Sequence, residues 1–448
     1  MDKLKYPGSL HNHTHTSNLR LRDCIIRENE LIDYAIELGH EVVAFTEHDS
    51  VSNVIKIEKY YNKIKKENPN FKVILGNEIY LCRNGLSKDT FVKGQDRFYH
   101  FVLLAKDEIG HKQIREISTR AWLRSWMNGK MRRVPTYYQD LVEIIGKNPG
   151  HVIGSTACLG GALPTQLLKQ SVTNDFNLLE KIKIWIMQMD NIFGHGNFFF
   201  ELQPSHNNEQ IYVNRKLIEL SVEFDIPYII TTDSHYLKAE DRNIHKAYLN
   251  AQNGDREVDD FYATTYMMNT EELESYMRLT EEELQFAYEN ILKIKDMCED
   301  YSLMKPLKIP ELKWKSHKYY SIENIYTKIP WLNKFVNSDF SGDRELALAI
   351  VEKIAEDSSL QNQEAYDEIN QNLEATWVSS EVNKTHWSSY FLNLEKIIDV
   401  CWDAGTLIGP GRGSGVGFIL LYILGITQIN PLREKTRTFS WRLTLKAS

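Results

Sequence analysis

Cysteine is scarce in this 448-residue chain: Cys24, Cys82, Cys158, Cys298 and Cys401 are scattered and odd in number. That excludes a disulfide scaffold and favours a reducing compartment. Long apolar runs are missing too. The longest, Val416 to Ile426, includes two glycines and is too short to span a bilayer. The opening Met1-Asp2-Lys3-Leu4-Lys5 lacks the apolar centre of a signal peptide. A basic excess is also absent. The formal net charge is -8, so no global field draws the chain onto nucleic acid, and any such contact needs a local patch. These absences point to a cytoplasmic protein with no membrane partner. Its length leaves room for two or three domains.

What stands out first is Ser9-Leu10-His11-Asn12-His13-Thr14-His15-Thr16-Ser17. Side chains alternate along an extended strand, so His11 and His13 project to one face and can reach one metal ion. The pair alone is weak. Further along, short apolar runs recur, each followed by a polar tip and then a helical pattern. Glu41 to Thr46 leads to Glu47-His48-Asp49, and Lys72 to Gly76 leads to Glu78. Phe98 to Leu104 carries His100, His151 to Gly154 is followed by Cys158, and Phe198 to Leu202 comes next. Pro227 to Thr232 ends in Asp233-Ser234-His235. Strand, tip and helix in alternation predict a parallel α/β fold. About seven such units within roughly 250 residues suit a closed barrel, which places its site at the strand C-termini.

Along the chain the candidate ligands are His11, His13, Asp23, His48, Glu78, His100, Cys158, Asp233 and His235. Taken singly, Glu78 and Asp233 read as capping carboxylates, Cys158 as a small buried apolar residue, and His100 as a core histidine. Their joint placement at strand ends argues for one centre. Such a set exceeds what one tetrahedral ion can hold, so two or three divalent ions sharing carboxylates are expected. Imidazole with thiolate points to zinc, and manganese also fits. The implied chemistry is metal-assisted phosphate ester hydrolysis, with no catalytic residue assigned beyond the cluster.

His11-Asn12-His13-Thr14 with Ser17, Thr46-Glu47-His48-Asp49, Glu78 and Thr232-Asp233-Ser234-His235-Tyr236 resemble the PHP (polymerase and histidinol phosphatase) domain. Tyr99-His100 and Ser155-Thr156-Ala157-Cys158-Leu159-Gly160-Gly161 resemble the version heading bacterial DNA polymerase III alpha subunits. The resemblance implies a distorted (β/α)7 barrel whose matching positions bind a metal cluster, and, where that cluster is complete, a 3′–5′ exonuclease. Glu47 stands where the family usually has Asp. Asp23 lies further from His13 than usual, across Asn18 to Arg22.

From Glu271 onward the texture turns helical and acidic, which divides the chain into residues 1–270 and 271–448. Gly409-Pro410-Gly411-Arg412-Gly413-Ser414-Gly415 is built like a phosphate cradle, with Gly411, Arg412, Gly413 and Ser414 as its contacts. With Tyr390-Phe391-Leu392 before it and Leu424 to Leu432 after it, it resembles the polymerase-beta-like nucleotidyltransferase palm of C-family replicative polymerases. The likeness runs through Phe439, Trp441 and Arg442. The aspartates that palm needs are absent from Leu443 to Ser448. The expectation is an N-terminal fragment of a split or truncated gene, using Mg and dNTP only if a second polypeptide completes the palm. Expected partners are DNA, as primer-template or single strand, that second polypeptide and replisome proteins. Arg120, Trp122, Arg124, Trp126, Lys130, Arg132 and Arg133 interleave cations with aromatics, as a track for single-stranded DNA or as a solvated helix. Two other readings are a stand-alone phosphatase of small phosphate esters and a metal-stabilised scaffold without catalysis.

Overall fold

A ring of strands organises the first part of the chain. A computed structural model describes residues 3–253, 261–435, 437–439 and 442. Trp441 and residues 443–448, on which part of the palm reading falls, lie outside the described residues. The strands are β1 (Val42–Phe45), β2 (Lys72–Cys82), β3 (Tyr99–Ala105), β4 (Trp126–Asn128), β5 (Met131–Arg133), β6 (Thr136–Tyr137), β7 (Val152–Ser155), β8 (Phe198–Leu202) and β9 (Tyr228–Ile230). The main sheet has the order β1-β2-β3-β7-β8-β9, with β6 beside β2, and β4 and β5 form a separate hairpin.

The pairing is parallel except at β3, which runs antiparallel to both β2 and β7. The wholly parallel pattern expected from the sequence is corrected here. Residues 83–98 join β2 to β3 without a helix, and a parallel pairing needs a long crossover. The reversal matters for the site, because it brings the start of β3, not its end, to the mouth where the other strands finish.

Ser9 to His13 closes the ring. On one side Ala44 N donates to Ser9 O (3.2 Å) and Thr46 N to Asn12 O (3.0 Å). On the other, His13 N donates to Ser234 O (2.9 Å), and Asn12 bridges Ser234 in parallel. With this segment the ring has seven strands, the distorted (β/α)7 arrangement expected from the sequence. Its strands are covered on both faces, which is why they read as nearly continuous apolar runs. Phe198, Phe199 and Phe200 are fully buried, each contributing roughly 1.5–3 kcal/mol over exposure. Gly154 on β7 sits where any Cβ would meet the Phe193 ring at 2.7 Å, so the close packing there requires glycine.

The compact unit runs past the change of texture near residue 270, to Met304. Helices Thr270–Tyr276 and Glu281–Met297 bury Leu273, Leu284, Tyr288 and Ile291 in the same core as the barrel strands. The second unit begins at Lys305. Among its described residues there are helices and no strand, packed around Ile329, Leu346, Ile350, Leu373 and Leu420. Among the described residues no helix is long and apolar enough to cross a membrane.

Candidate metal centre

His11 and His13 share a face as alternation requires, with their Nε2 atoms 3.2 Å apart. Asn12 points away and ties the strand to β1 by donating to Ala44 O. His48 lies just beyond β1, where it bridges Glu78. β2 extends well past the expected Gly76, so Glu78 sits inside the strand and not after it. Its carboxylate is central: Oε2 lies 2.5 Å from His48 Nδ1, and Oε1 lies 2.7 Å from His100 Nδ1 and 3.5 Å from His11 Nε2.

His100 reaches this point from the first residues of the antiparallel β3. Gly160 lets its ring in, since a Cβ there would come within 2.9 Å of it. Cys158, in the turn after β7, brings Sγ to 3.4 Å from His100 Nδ1. After β9, Asp233 Oδ1 is 3.0 Å from His13 Nε2 and 3.3 Å from His11 Nε2, and His235 follows. Asp23 completes the set, with Oδ1 3.3 Å from His48 Nε2 and Oδ2 3.7 Å from His235 Nε2. All nine sequence candidates therefore converge. Eight are buried, and His100 keeps 23% of its side chain exposed.

Three groups each have donor atoms within 4.8 Å of one another: His13, His48 and His235; His11, His13 and Asp233, which shares His13 with the first; and Glu78, His100 and Cys158. Three buried atoms aimed into this hollow, Asp23 Oδ1, His48 Nε2 and Asp233 Oδ1, have no hydrogen-bond partner among the described residues. Buried polar atoms normally find partners. A divalent cation satisfies such atoms, and the mixed imidazole, carboxylate and thiolate set fits one.

The electrostatics divide the imidazoles. Burial lowers the pKa of His11 and His48, but Asp233 and Glu201 outweigh it for His11, which ends well above the ordinary value. Asp23 and Glu78 do the same for His48 and lift it to about 10. Burial prevails for His13, held well below the ordinary value beside His48, and for His235, lowered to about 4. Burial raises Glu78, yet His100 and His48 overcome it and hold the carboxyl well below its usual range.

Two acidic residues escaped the sequence reading of the centre. Glu201 on β8 is 1% exposed and accepts from His11 Nδ1 (2.7 Å), Ser155 Oγ (2.6 Å) and Thr231 Oγ1 (2.6 Å). Its only sequence signal is one acid in the apolar run Phe198 to Leu202. Glu47, noted as longer than the family's Asp, spends its reach on the loop after His13. It accepts from Thr14 N, Thr14 Oγ1 and Ser17 Oγ.

In the second unit Gly411, Arg412, Gly413 and Ser414 form an exposed loop. Gly411 has φ +134 and a Cβ there would meet Val416 Cγ1 at 2.5 Å, while Gly413 has φ +63. The apolar run behind the loop makes a short turn and then only Ile419–Ile423 as helix, ended by Gly425 at φ +65.

Residues 9–205 match the PHP domain, and residues 345–441 match the bacterial DNA polymerase III alpha NTPase domain. A DNA-directed DNA polymerase of Bacillus phage SPbeta is 35% identical, over 94% of this chain and 34% of its own length. The DNA polymerase III subunit alpha of Aquifex aeolicus is 27% identical, over 95% and 34%. That of Borreliella burgdorferi is 26% identical, over 95% and 33%. The chain spans about a third of the length of the curated relatives it matches. With a PHP-domain match toward one end and an NTPase-domain match toward the other, the chain is similar along nearly its whole length to the N-terminal third of bacterial DNA polymerase III alpha subunits and of a phage DNA polymerase.

Proposed function

We propose that His11, His13, Asp23, His48, Glu78, His100, Cys158, Asp233 and His235 hold two or three divalent ions, zinc or manganese, and that this centre hydrolyses DNA phosphodiesters from a 3′ end. The observation carrying this is the group of three buried atoms, Asp23 Oδ1, His48 Nε2 and Asp233 Oδ1, that crowd one hollow at ion-pair distances without a hydrogen-bond partner among the described residues. Ions bound there supply Lewis acidity toward a phosphodiester and lower the pKa of bound water toward neutrality. The chain's own residues do the rest. Glu201 holds the Nδ1–H of His11 and so leaves its Nε2 facing the hollow. Glu78 belongs to one donor group and links it to the other two, reaching His100 within its own group and His11 and His48 in the others.

By this similarity, the chain contributes to replicative DNA synthesis in the cytoplasm, together with DNA and other replisome proteins. Five free cysteines suit that reducing compartment. Gly411, Arg412, Gly413 and Ser414 take nucleotide phosphates. A stand-alone phosphatase of small esters leaves the match over residues 345–441 without a role.

The test is metal analysis with an exonuclease assay on single-stranded DNA, comparing the wild type with His11→Ala. Bound metal and metal-dependent loss of 3′ nucleotides, both diminished in the variant, are the expected result. Metal without cleavage would leave a structural centre and refute the hydrolytic reading.

A further inference from the structure

Between the loop that follows His13 and the β4–β5 hairpin lies a groove of about 600 Å³. Arg20, Arg22, Lys130 and Arg132 line it and no carboxylate among the described residues does, in a chain whose acids outnumber its bases 61 to 53. Leu19 and Met127, 64% and 48% exposed, give it apolar rims.

The structure sorts the basic, aromatic stretch noted in the sequence. Arg120 is committed to Glu143 (2.7 Å) and Glu116 (2.8 Å). Arg124 grips both oxygens of Asp140 (2.5 and 2.7 Å) and stacks on Tyr137. Arg133 lies over the Phe98 ring at 4.9 Å. Lys130 and Arg132 remain for the groove, with Arg132 steadied by Ser125 Oγ (3.0 Å) over the Trp122 ring.

Arg20 supplies an independent observation. It is 7% exposed, lies over Tyr80 at 4.8 Å and has Nε 3.2 Å from Asp49 Oδ2, yet its buried Nη1 has no hydrogen-bond partner among the described residues. A buried guanidinium nitrogen without an acceptor is costly. An anionic oxygen entering the groove would satisfy it.

Both walls are fastened to residues flanking the metal centre. Arg22 directly precedes Asp23, about 3.8 Å away between Cα atoms. Asp49, which directly follows His48, pairs with Arg20 and accepts at its backbone oxygen from the Trp122 indole (2.5 Å). Each wall of the groove is thus tied to a residue that adjoins a member of the donor set.

We propose that this groove is the track of a single DNA strand, with Arg20 taking the phosphate nearest the metal centre and Arg22, Lys130 and Arg132 taking those behind it. The inference rests on the reading of that centre as a DNA phosphodiesterase. Facing walls with apolar rims suit unstacked bases and exclude the width of a duplex.

The test uses the full chain in chelator, so that binding is read apart from hydrolysis. A fluorescein-labelled oligothymidylate is titrated by anisotropy across a salt series, with unlabelled duplex as competitor. Arg22→Ala, Lys130→Ala and Arg132→Ala should each weaken binding and reduce the slope of log K against log salt by about 0.7. Arg120→Ala, whose charge is spent on Glu116 and Glu143, should keep the wild-type slope. Circular dichroism confirms that each variant is folded. A wild-type slope in the folded Arg22/Lys130/Arg132 triple variant, or duplex competing as well as single strand, would overturn the proposal. Slope losses in the groove variants with no cleavage by the wild type after metal is restored would support the track and count against the hydrolytic reading alone.

Discussion

Glu201→Gln is the most discriminating single change in the barrel. The amide is isosteric with the carboxylate, so the packing around it survives. Its oxygen can keep both His11 Nδ1–H and Thr231 Oγ1, which converge on Oε1, while its NH2 group takes the place of Oε2 opposite Ser155 Oγ, a hydroxyl able to rotate and accept. What disappears is the charge behind His11. A charge-assisted hydrogen bond contributes about 1.5–3 kcal/mol and a neutral one about 0.5–1.5, so the loss is about 1.4 kcal/mol, or tenfold in metal affinity. The deficit should also depend on pH. Burial lowers the pKa of His11, while Asp233 and Glu201 raise it well above the ordinary value, so in the wild type a proton must leave before Nε2 can bind. Removing the Glu201 charge eases that departure and masks part of the loss near pH 7. The gap between the two proteins should widen as pH rises to 9. Competition against a chromophoric chelator, run at several pH values, measures it. Equal affinities at every pH would refute the role given to Glu201.

Two further outcomes concern stability. His317, between Glu345 Oε1 (2.8 Å) and Glu395 Oε1 (3.0 Å), has its pKa lowered by burial but raised more by those carboxylates, and the net shift is upward. Its stabilising contribution is therefore complete below about pH 6.5, the unfolded value, and is lost as pH rises through the higher folded value. The urea midpoint of wild type relative to His317→Gln should fall from pH 6 to 9; a constant difference would contradict the pairing. Gly154→Ala forces a methyl against the Phe193 ring, at 2.7 Å before relaxation, and should cost about 1–3 kcal/mol in urea unfolding. An unchanged midpoint would mean the helix carrying Phe193 yields freely.

The convergence of the nine candidates was legible because each is chemically conspicuous and most lie near a strand terminus. Glu78, within β2, and Asp23, in a loop, are the exceptions. His100 was found with the wrong strand direction in mind. Since β3 runs backwards, its start occupies the mouth where its end had been expected, and the ligand comes to the same place. Glu201 was illegible because a lone acid in a strand has many ordinary roles, and nothing local reveals that His11, 190 residues away, needs it. The stretch from Arg120 to Arg133 was visible as a block but not as its parts. The acids that neutralise Arg120 and Arg124 include Asp140 and Glu143, on the next helix, and sequence distance hides such pairings. The extent of the first compact unit was hidden for a related reason. Helices after residue 270 look like the start of something new, yet their apolar faces belong to the barrel core.

The closure of the ring by Ser9 to His13 has a consequence for biosynthesis. This segment is the first of the barrel to leave the ribosome, and the residues it joins, Asp233 to His235, are the last of the metal-binding set. A nascent chain shorter than about 235 residues thus cannot assemble the whole cage, since His11 and His13 have no Asp233 to meet. Pairing of Ser9 to His13 with Asp233 to His235 is the final stitch of the barrel, and a product truncated before them is left with an unlatched seam.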